Sequence, residues 1–489
     1  MSDTSAYGDG IRDDDTLVGD DNSSVRSFGS VSTVVSEGAN PGPGLPDIDP
    51  NIPRRPDFVI IGSGMTAVGV ALSFLQLMAS KEKFPVVLVI EAGELCSGGT
   101  ARNSGHIKFL PPMVFRFDGE LQPEKVLDLQ FEMEELYYDE EEFEIDRGAQ
   151  RRLNELYPQK YRATILEGDE VPHYGPTILE GDEVPHEYER ARGARTHTAG
   201  LVQLYHLVTS IWEDLCTQYA NLRISTNNLV QNIALTTDSS HPYIVTCSRR
   251  TLQARHVVHA TDSYATRLLP ALDIGLRVGW VNGLLQRPGA RFPKREGKHS
   301  WTLDFGNHYF TVIQLPDRND EIGELLIERG WATSGGRNDR DEQETVNYLH
   351  HYMKKVFGPE WKEATMMSEL RSKSVGITGD YLPFVGRIPR EYANREVLRS
   401  DQAAVEAAVS EDDGLATPGE WISAGYNGQE TAFALLSGHA VGIQIAGMED
   451  DELEMVPGRP GGRLNDWFPK EELSLDGDRM VRANLGPLN

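Results

Sequence analysis

Cysteine is nearly missing from this chain: three residues in 489, Cys96, Cys216 and Cys247. An odd number scattered so widely does not suit a disulfide framework, so the fold must rest on a packed core in a reducing compartment. The same scarcity leaves no metal-ligand spacing to read, and no metal site is expected. Basic residues are short as well, with 47 Lys and Arg against 75 Asp and Glu and a net charge of −28. That balance argues against phosphate-backbone binding, which needs clustered cations, and against an anionic membrane surface, so neither nucleic acid nor membrane is expected as a partner. Long hydrophobic runs are also absent. The most apolar late stretch, Ala432 to Ala446, is interrupted by Gly438, His439, Gly442 and Gln444, and the N-terminus has no apolar h-region. The final residues carry no peroxisomal address, and the expectation is a soluble, intracellular, cytoplasmic protein.

What is present begins to be informative at Asp57. Residues 1–56 are rich in Ser, Asp, Gly and Pro, with acidic clusters at Asp13 to Asp15 and at Asp20 and Asp21, and read as a disordered tail because they can bury too little apolar surface. Phe58 to Ile61 is then a β-branched run, Gly62, Gly64 and Ala67 follow as G-x-G-x-x-A, and Val68 to Met78 is apolar enough for a buried helix. Gly62 permits a tight turn, Gly64 has no Cβ to keep a pyrophosphate away, and Ala67 lets helix and strand pack closely. The helix would begin with unpaired N–H groups aimed at the phosphates. A second apolar run, Val86 to Ile90, ends at Glu91, where a dinucleotide-binding βαβ unit places the carboxylate that accepts from a ribose. That charge repels a 2′-phosphate, which disfavours NADP.

Further along, Glu124 to Glu144 shows helical periodicity on Val126, Leu129, Phe131 and Leu136 before an acidic run. The decapeptide TILEGDEVPH occurs twice, from Thr164 to His173 and from Thr177 to His186, which reads as a local duplication in a tolerant surface region because a solenoid needs at least about three repeats. Leu201 to Tyr219 reads as a core helix. Leu222 to Ser225, Leu229 to Leu235, Tyr243 to Cys247 and His256 to Ala260 read as short strands, the last opening onto Thr261 and a polar turn. Between Gly275 and about Leu370, HSWTLDF, HYFTVIQLP and ELLIERGWA alternate as an antiparallel sheet does, with one face available to a substrate. WISAGYNGQETAFALLSGHAVGIQIAG is again strand, glycine turn and helix, and the polar segment after Met448 is expected to run over the surface.

Three of these segments, in this order, resemble the FAD-dependent oxidoreductases of the D-amino-acid oxidase superfamily, close to glycine oxidase, sarcosine oxidase and fungal FAD-dependent oxidoreductases. They are VIIGSGMTAVGVA followed by VIEA, CSGGTARNSGHI, and AGYNGQETAFALLSGHAVG; HVVHATDSYATRLLP and VGITGDYLPFVGRIP match weaker family patterns. The resemblance implies an α/β protein with a discontinuous Rossmann-type FAD-binding domain over residues 57–115, 191–272 and 371–447. It implies an antiparallel-sheet substrate domain over 116–190 and 273–370, with tails at 1–56 and 448–489.

The implied cofactor is FAD. Gly62, Ser63, Gly64, Met65, Thr66 and Ala67 would lie at its pyrophosphate, Glu91 and Ala92 at the adenosine ribose, and Val230, Ala260 and Thr261 on the adenine side. Arg102, Asn103, Gly105 and His106 would lie beside the flavin ring, and Gly425, Tyr426, Asn427 and Gly428 at its pyrimidine end. His106 and Tyr426 are the catalytic candidates, and Arg329 and Arg371 are candidates for pairing with a substrate carboxylate. The implied activity is oxidation of a C–N bond in a small amine or amino acid by hydride transfer to flavin N5, with molecular oxygen as acceptor in an oxidase. Ala101 and Ser104 stand where the family usually has glycine, and the run VGITGDYLPFVG is a few residues short. Those departures motivate an alternative, a flavin-binding protein without turnover that acts through its acidic arm.

Overall fold

In the computed structural model the apolar run before the glycine turn is a strand, β1 (Phe58–Ile61), and the run after it is a helix, α1 (Met65–Ser80). The structure describes residues 52–107, 131–156, 163–167, 191–289, 299–305, 309–315, 323–332, 365–366, 371–397, 415–456 and 458–486, with single positions between 292 and 357. Residues 1–51 of the expected tail and the second TILEGDEVPH copy lie outside the described residues. After α1 come β2 (Val87–Ile90), α2 (Gly99–Arg102), β3 (His106–Ile107), β4 (Phe131–Tyr137), α3 (Glu140–Leu156), β5 (Ala163–Glu167), β6 (Gly193–Leu201) and α4 (Leu204–Gln218). Five short strands follow: β7 (Leu222–Ser225), β8 (Val230–Leu235), β9 (Tyr243–Cys247), β10 (Thr251–Ala254) and β11 (His256–His259). Next are β12 (Arg277–Arg287), β13 (His299–Asp304), β14 (Tyr309–Gln314), β15 (Leu325–Ala332), β16 (Thr365–Met366) and β17 (Arg371–Ile377). β18 (Phe384–Arg387), α5 (Arg390–Ala393), β19 (Gly419–Ala424) and α6 (Glu430–Ile445) complete the elements that build the site.

The first sheet has the order β18-β19-β11-β1-β2-β7, parallel except for the edge strand β18. β1 and β2 are apolar at every position because both faces of the sheet are covered. Phe58, Ile60, Val87, Val89 and Val258 pack with residues of α1, α4 and α6, whereas Val59, Ile61, Leu88, Ile90 and Val257 pack under the β8–β10 meander. All five parallel strands end on the same side, where a doubly wound sheet keeps its ligand crevice.

Helices α1 and α6 touch backbone to backbone. A Cβ at Gly69 would lie 2.4 Å from the Leu435 carbonyl oxygen, one at Gly438 would lie 2.3 Å from that of Thr66, and one at Gly442 would lie 2.6 Å from that of Val70. Ser73 Oγ and His439 Nδ1 are 2.7 Å apart inside the same seam. Burial and the field of Arg459 push the His439 pKa down to about 3, so its ring is neutral there.

The second sheet runs β16-β12-β15-β14-β13-β4-β6-β3, with β17 also on β12 and β5 on β6. It is antiparallel apart from the β13–β4 pair. One face carries Trp301, Leu303, Phe310, Val312, Leu325 and Ile327 against Leu349, Met353, Val356 and Phe357. The other face carries Ser300, Thr302, Thr311 and Glu328 beside a small apolar group of Ile313 and Leu326.

Two expectations are corrected. The helical reading of Glu124 to Glu144 fails over Phe131–Tyr137, which is β4, paired on both sides, with the helix starting only at Glu140. Helical spacing over so few residues also satisfies a strand, and the partners that decide the matter lie more than fifty residues away in sequence. The segment after Met448 does not simply run over the surface: Leu453, Leu464, Phe468 and Leu473 complete the cluster around α1 and α6, and Leu475, Met480 and Ala483 fill the one under β18 and β19. Isolated apolar residues at irregular spacing leave no period to detect.

The helix seam makes a direct prediction. Gly438→Val should lower stability by about 1–3 kcal/mol, read as a reduced denaturant midpoint, because the new side chain meets backbone that cannot move aside. An unchanged midpoint would show that the seam opens freely.

Candidate functional site

Gly62 takes φ +104°, and a Cβ there would lie 2.5 Å from the Ala260 carbonyl oxygen, so the ends of β1 and β11 can meet only through glycine. Glu91, at the end of β2, bends its carboxylate over this turn. Its Oε2 accepts from Ser63 N at 3.1 Å and Ser63 Oγ at 2.8 Å, and its Oε1 accepts from Gly93 N at 3.0 Å. Ser63 is further locked by Trp212 Nε1, which donates to its carbonyl at 2.9 Å, and by Cys96 N, which donates to its hydroxyl at 2.8 Å. Asn228 N donates to the Glu91 carbonyl at 2.9 Å, bringing the start of β8 at Val230 to the same corner.

Helix α1 opens on Gly64, which has no side chain of its own to cap the first turn; Met65 N donates to Thr100 Oγ1 at 3.2 Å, and no acid stands in that turn. An anion is the natural occupant of such an end. Beside it Thr261 Oγ1 is buried without a hydrogen-bond partner among the described residues, and Ala67 is fully buried.

The segment at α2 reaches across to the other end of the crevice. Asn103 Oδ1 accepts from Gly105 N at 2.7 Å and from Thr431 Oγ1 at 3.2 Å, while its Nδ2 donates to Glu430 Oε2 at 3.4 Å. Arg102 Nη1 approaches the Ser372 carbonyl at 3.5 Å. His106, on β3, has Nε2 3.0 Å from Ser300 Oγ in the polar face of the second sheet.

The turn between β19 and α6 is held from two sides. Asp262 Oδ1 accepts from Gly425 N and its Oδ2 from Gly376 N, both at 2.7 Å. Burial raises its pKa, against the opposing effect of these donors. Asn427, at φ +55°, donates from its backbone to Gly376 O at 2.8 Å, from Nδ2 to Thr378 Oγ1 at 2.9 Å and to Gly425 O at 2.7 Å, and accepts from Thr378 N at 2.9 Å on Oδ1. The Tyr426 hydroxyl lies 2.7 Å from Thr66 Oγ1 and 2.6 Å from Ser423 Oγ, in a residue that is 2% exposed. It therefore joins this turn to the first turn of α1.

Across the polar face of the second sheet, Thr302, Thr311 and Glu328 stand opposite one another on β13, β14 and β15. Thr302 Oγ1 is buried with no partner among the described residues. On the same face Lys373 reaches Glu328 with Nζ 3.7 Å from Oε1, and the lysine is only 6% exposed. Burial, with Asp262 and Glu328 adding to it and Lys373 opposing, pushes the Glu430 pKa from 4.5 up to about 7. Arg329 shares the face of Leu325 and Ile327, away from Lys373 and Glu328 by strand alternation. The side chain of Arg371 lies outside the described residues.

The structure thus joins the Gly62–Ala67 turn to Glu91 and Ala260 on one side and to Tyr426 on the other, joins Asn103 to Thr431 and Glu430 just past the Gly425–Gly428 turn, and ties His106 to Ser300, with Ala92, Val230 and Thr261 adjoining these contacts in the chain. Sequence reasoning did not single out Asp262, Glu328, Lys373 or Glu430. Asp262 and Glu430 stand inside motifs already recognised, as an acid three residues past a parallel strand and an acid opening a helix. Glu328 and Lys373 carry no local signal because strand pairing alone puts them together.

A parallel sheet with a glycine turn under its central strand, an acid closing the second strand and an antiparallel sheet over the crevice is the architecture of a dinucleotide-dependent flavoprotein. The chain belongs to the family of FAD dependent oxidoreductases, whose profile matches residues 57–442, and its cofactor is FAD. The structure is similar to glycine oxidase from Geobacillus kaustophilus, at 16% identity and TM-score 0.55 over 83% of this chain and 98% of that one. It is similar to L-proline dehydrogenase from P. horikoshii, at 17% identity and TM-score 0.54 over 81% and 94%. L-amino acid deaminase from Proteus vulgaris, with its specific insertion deleted, is 15% identical with TM-score 0.53 over 85% and 98%. At these identities the likeness is one of fold. Among curated protein sequences none matches the chain. The crevice fits FAD on its own terms, through a helix that opens on glycine without an acid in its first turn, the orphaned Thr261 hydroxyl and the acid at Glu91.

Two outcomes follow. Asp262→Ala strands two buried N–H groups and should cost roughly 1–3 kcal/mol for each, with loss of bound flavin on gel filtration. Glu430 holds its proton more tightly folded than unfolded, so its contribution to stability is complete below pH 4.5 and lost as pH rises through about 7. Glu430→Gln should therefore gain on wild type by about 1–3 kcal/mol as pH rises across that window, measured by thermal melts. A constant difference between the two proteins would contradict it.

Proposed function

We propose that the protein oxidises a C–N bond of a small amine or amino acid. The observation that carries this is the junction of the Arg102–His106 segment with the start of α6 through Asn103, under a polar sheet face, at the end of a crevice suited to a dinucleotide. When bound there, FAD supplies a two-electron acceptor for a hydride from the substrate carbon.

In this reading the backbone of Gly62, Ser63, Gly64, Met65, Thr66 and Ala67 binds the pyrophosphate, since the Ser63 and Thr66 side chains are already engaged inside the protein. Glu91 and Ala92 bind the ribose, and Val230, Ala260 and Thr261 border the adenine side. Arg102, Asn103, Gly105 and His106 border the flavin ring, and Gly425, Tyr426, Asn427 and Gly428 its pyrimidine end. The end of α6 favours negative charge that develops there. Tyr426 and His106 serve as positioning residues: the hydroxyl of Tyr426 is held by Thr66 and Ser423, and His106 is tied to Ser300. The second sheet excludes water and presents Thr302, Thr311, Glu328 and Lys373 to the substrate.

The purified protein should show oxidised-flavin absorption and release it to the supernatant on acid precipitation; colour kept in the pellet would mean a covalent link. A panel of secondary amines, D-amino acids and glycine derivatives under anaerobic conditions should contain at least one that bleaches the flavin. Bound flavin that no member bleaches would favour the alternative of a flavin-binding protein without amine turnover.

A further inference from the structure

We propose that Glu430 accepts the proton of the substrate ammonium, so that the amine meets the oxidation step neutral; this deepens the amine-oxidising reading and rests on it. Glu430 is the first residue of α6 and follows directly on the Gly425–Gly428 turn. The Asn103 amide beside it has a fixed orientation: its oxygen accepts from Gly105 N–H at 2.7 Å, so its NH2 must face the Glu430 carboxylate, 3.4 Å away. Asn103 belongs to the segment assigned to the flavin ring, so in that reading the carboxylate borders the ring against which a reacting amine must lie.

The charges facing Glu430 come from every element around it. Lys373 on β17, Glu328 on β15, Asp262 in the turn after β11 and Tyr426 in its own turn all act on it or are acted on by it. Lys373 is already paired with Glu328 at 3.7 Å, which leaves Glu430 as the carboxylate with the weaker compensation. The helix end favours its ionised form by about 0.3–1 kcal/mol, but burial among acids outweighs that and raises its pKa to about 7. A carboxyl poised there takes up a proton and gives it back within one cycle near neutral pH.

The step balances. The ammonium N–H bond breaks with its electron pair left on nitrogen, and an O–H bond forms on a Glu430 oxygen. The hydride then leaves carbon with its own pair for FAD, the oxidant already named, and the nitrogen lone pair becomes the second C–N bond. A substrate cation beside a carboxylate is thus replaced by an iminium beside a neutral acid, and the proton returns to solvent as the product leaves.

The test uses FAD-loaded protein mixed anaerobically, in weak buffer with an indicator dye at about pH 8, with whichever of N-methylglycine, D-alanine and benzylamine bleaches the flavin. In wild type the proton should appear in solution only after bleaching, as the product leaves, whereas in Glu430→Gln close to one proton per flavin should appear before or together with bleaching, since the amine must shed it to solvent in order to bind neutral. The variant should also bleach on the order of 10²-fold more slowly at neutral pH, its rate rising only towards the pKa of the free amine. Lys373→Met offers a second arm, because losing that cation should move the wild-type rate limb to higher pH. The same timing of proton release relative to bleaching and equal pH profiles in wild type and Glu430→Gln would overturn the role of Glu430 while leaving amine oxidation standing. If none of the three amines, nor any of the wider panel, bleaches the flavin, amine oxidation and this inference fall together.

Discussion

The close seam between α1 and α6 is the constraint on which the rest depends. The helices belong to segments some 360 residues apart, as the Thr66–Tyr426 pair records. They approach until side chains larger than hydrogen no longer fit at Gly69, Gly438 and Gly442. That approach sets the glycine turn before α1 and the turn before α6 at one crevice, where the hydroxyls of Thr66, Tyr426 and Ser423 tie them together. Loosening it would separate the part of the site that suits phosphate from the part that suits a flavin ring.

Around this seam, charge is placed with an evident asymmetry. Asp262 is given over to backbone N–H groups and acts as a structural clamp on the turn and on β17. Lys373 and Glu328 compensate one another on the sheet face. Glu430, at the mouth of α6, is left with a proton affinity near neutrality. Burial raises the pKa of both carboxyls, but it is opposed at Asp262 by the backbone donors that Asp262 clamps and at Glu430 chiefly by the Lys373 cation.

The cofactor half of the site was legible in the sequence because its requirements are local. A turn that only glycine allows, a helix opening on glycine and an acid after a buried strand each leave a mark within a few residues, and Gly62, Gly64, Ala67 and Glu91 stand in the expected strand, turn, helix and strand order. Four of the five strands from Leu222 to His259 were legible for a similar reason, each being a short apolar run between polar turns, whereas β10, with the sequence TLQA, was not. Phe131–Tyr137 was not, since its spacing suits a helix as well and only pairing with β6 and β13 decides it. The apolar residues after Met448 fill gaps in cores built elsewhere and have no pattern of their own.

By itself, then, the sequence determined the βαβ unit, the acid at Glu91, the second glycine turn and the resemblance that named FAD, because backbone conformation and helix ends are governed by neighbours in the chain. Only the tertiary structure decided that Asn103 turns its amide towards Glu430, that Tyr426 is bound inside and that Lys373 meets Glu328. Those relations depend on which strand lies beside which and on how closely two helices pack, and burial then sets the proton affinity of each group.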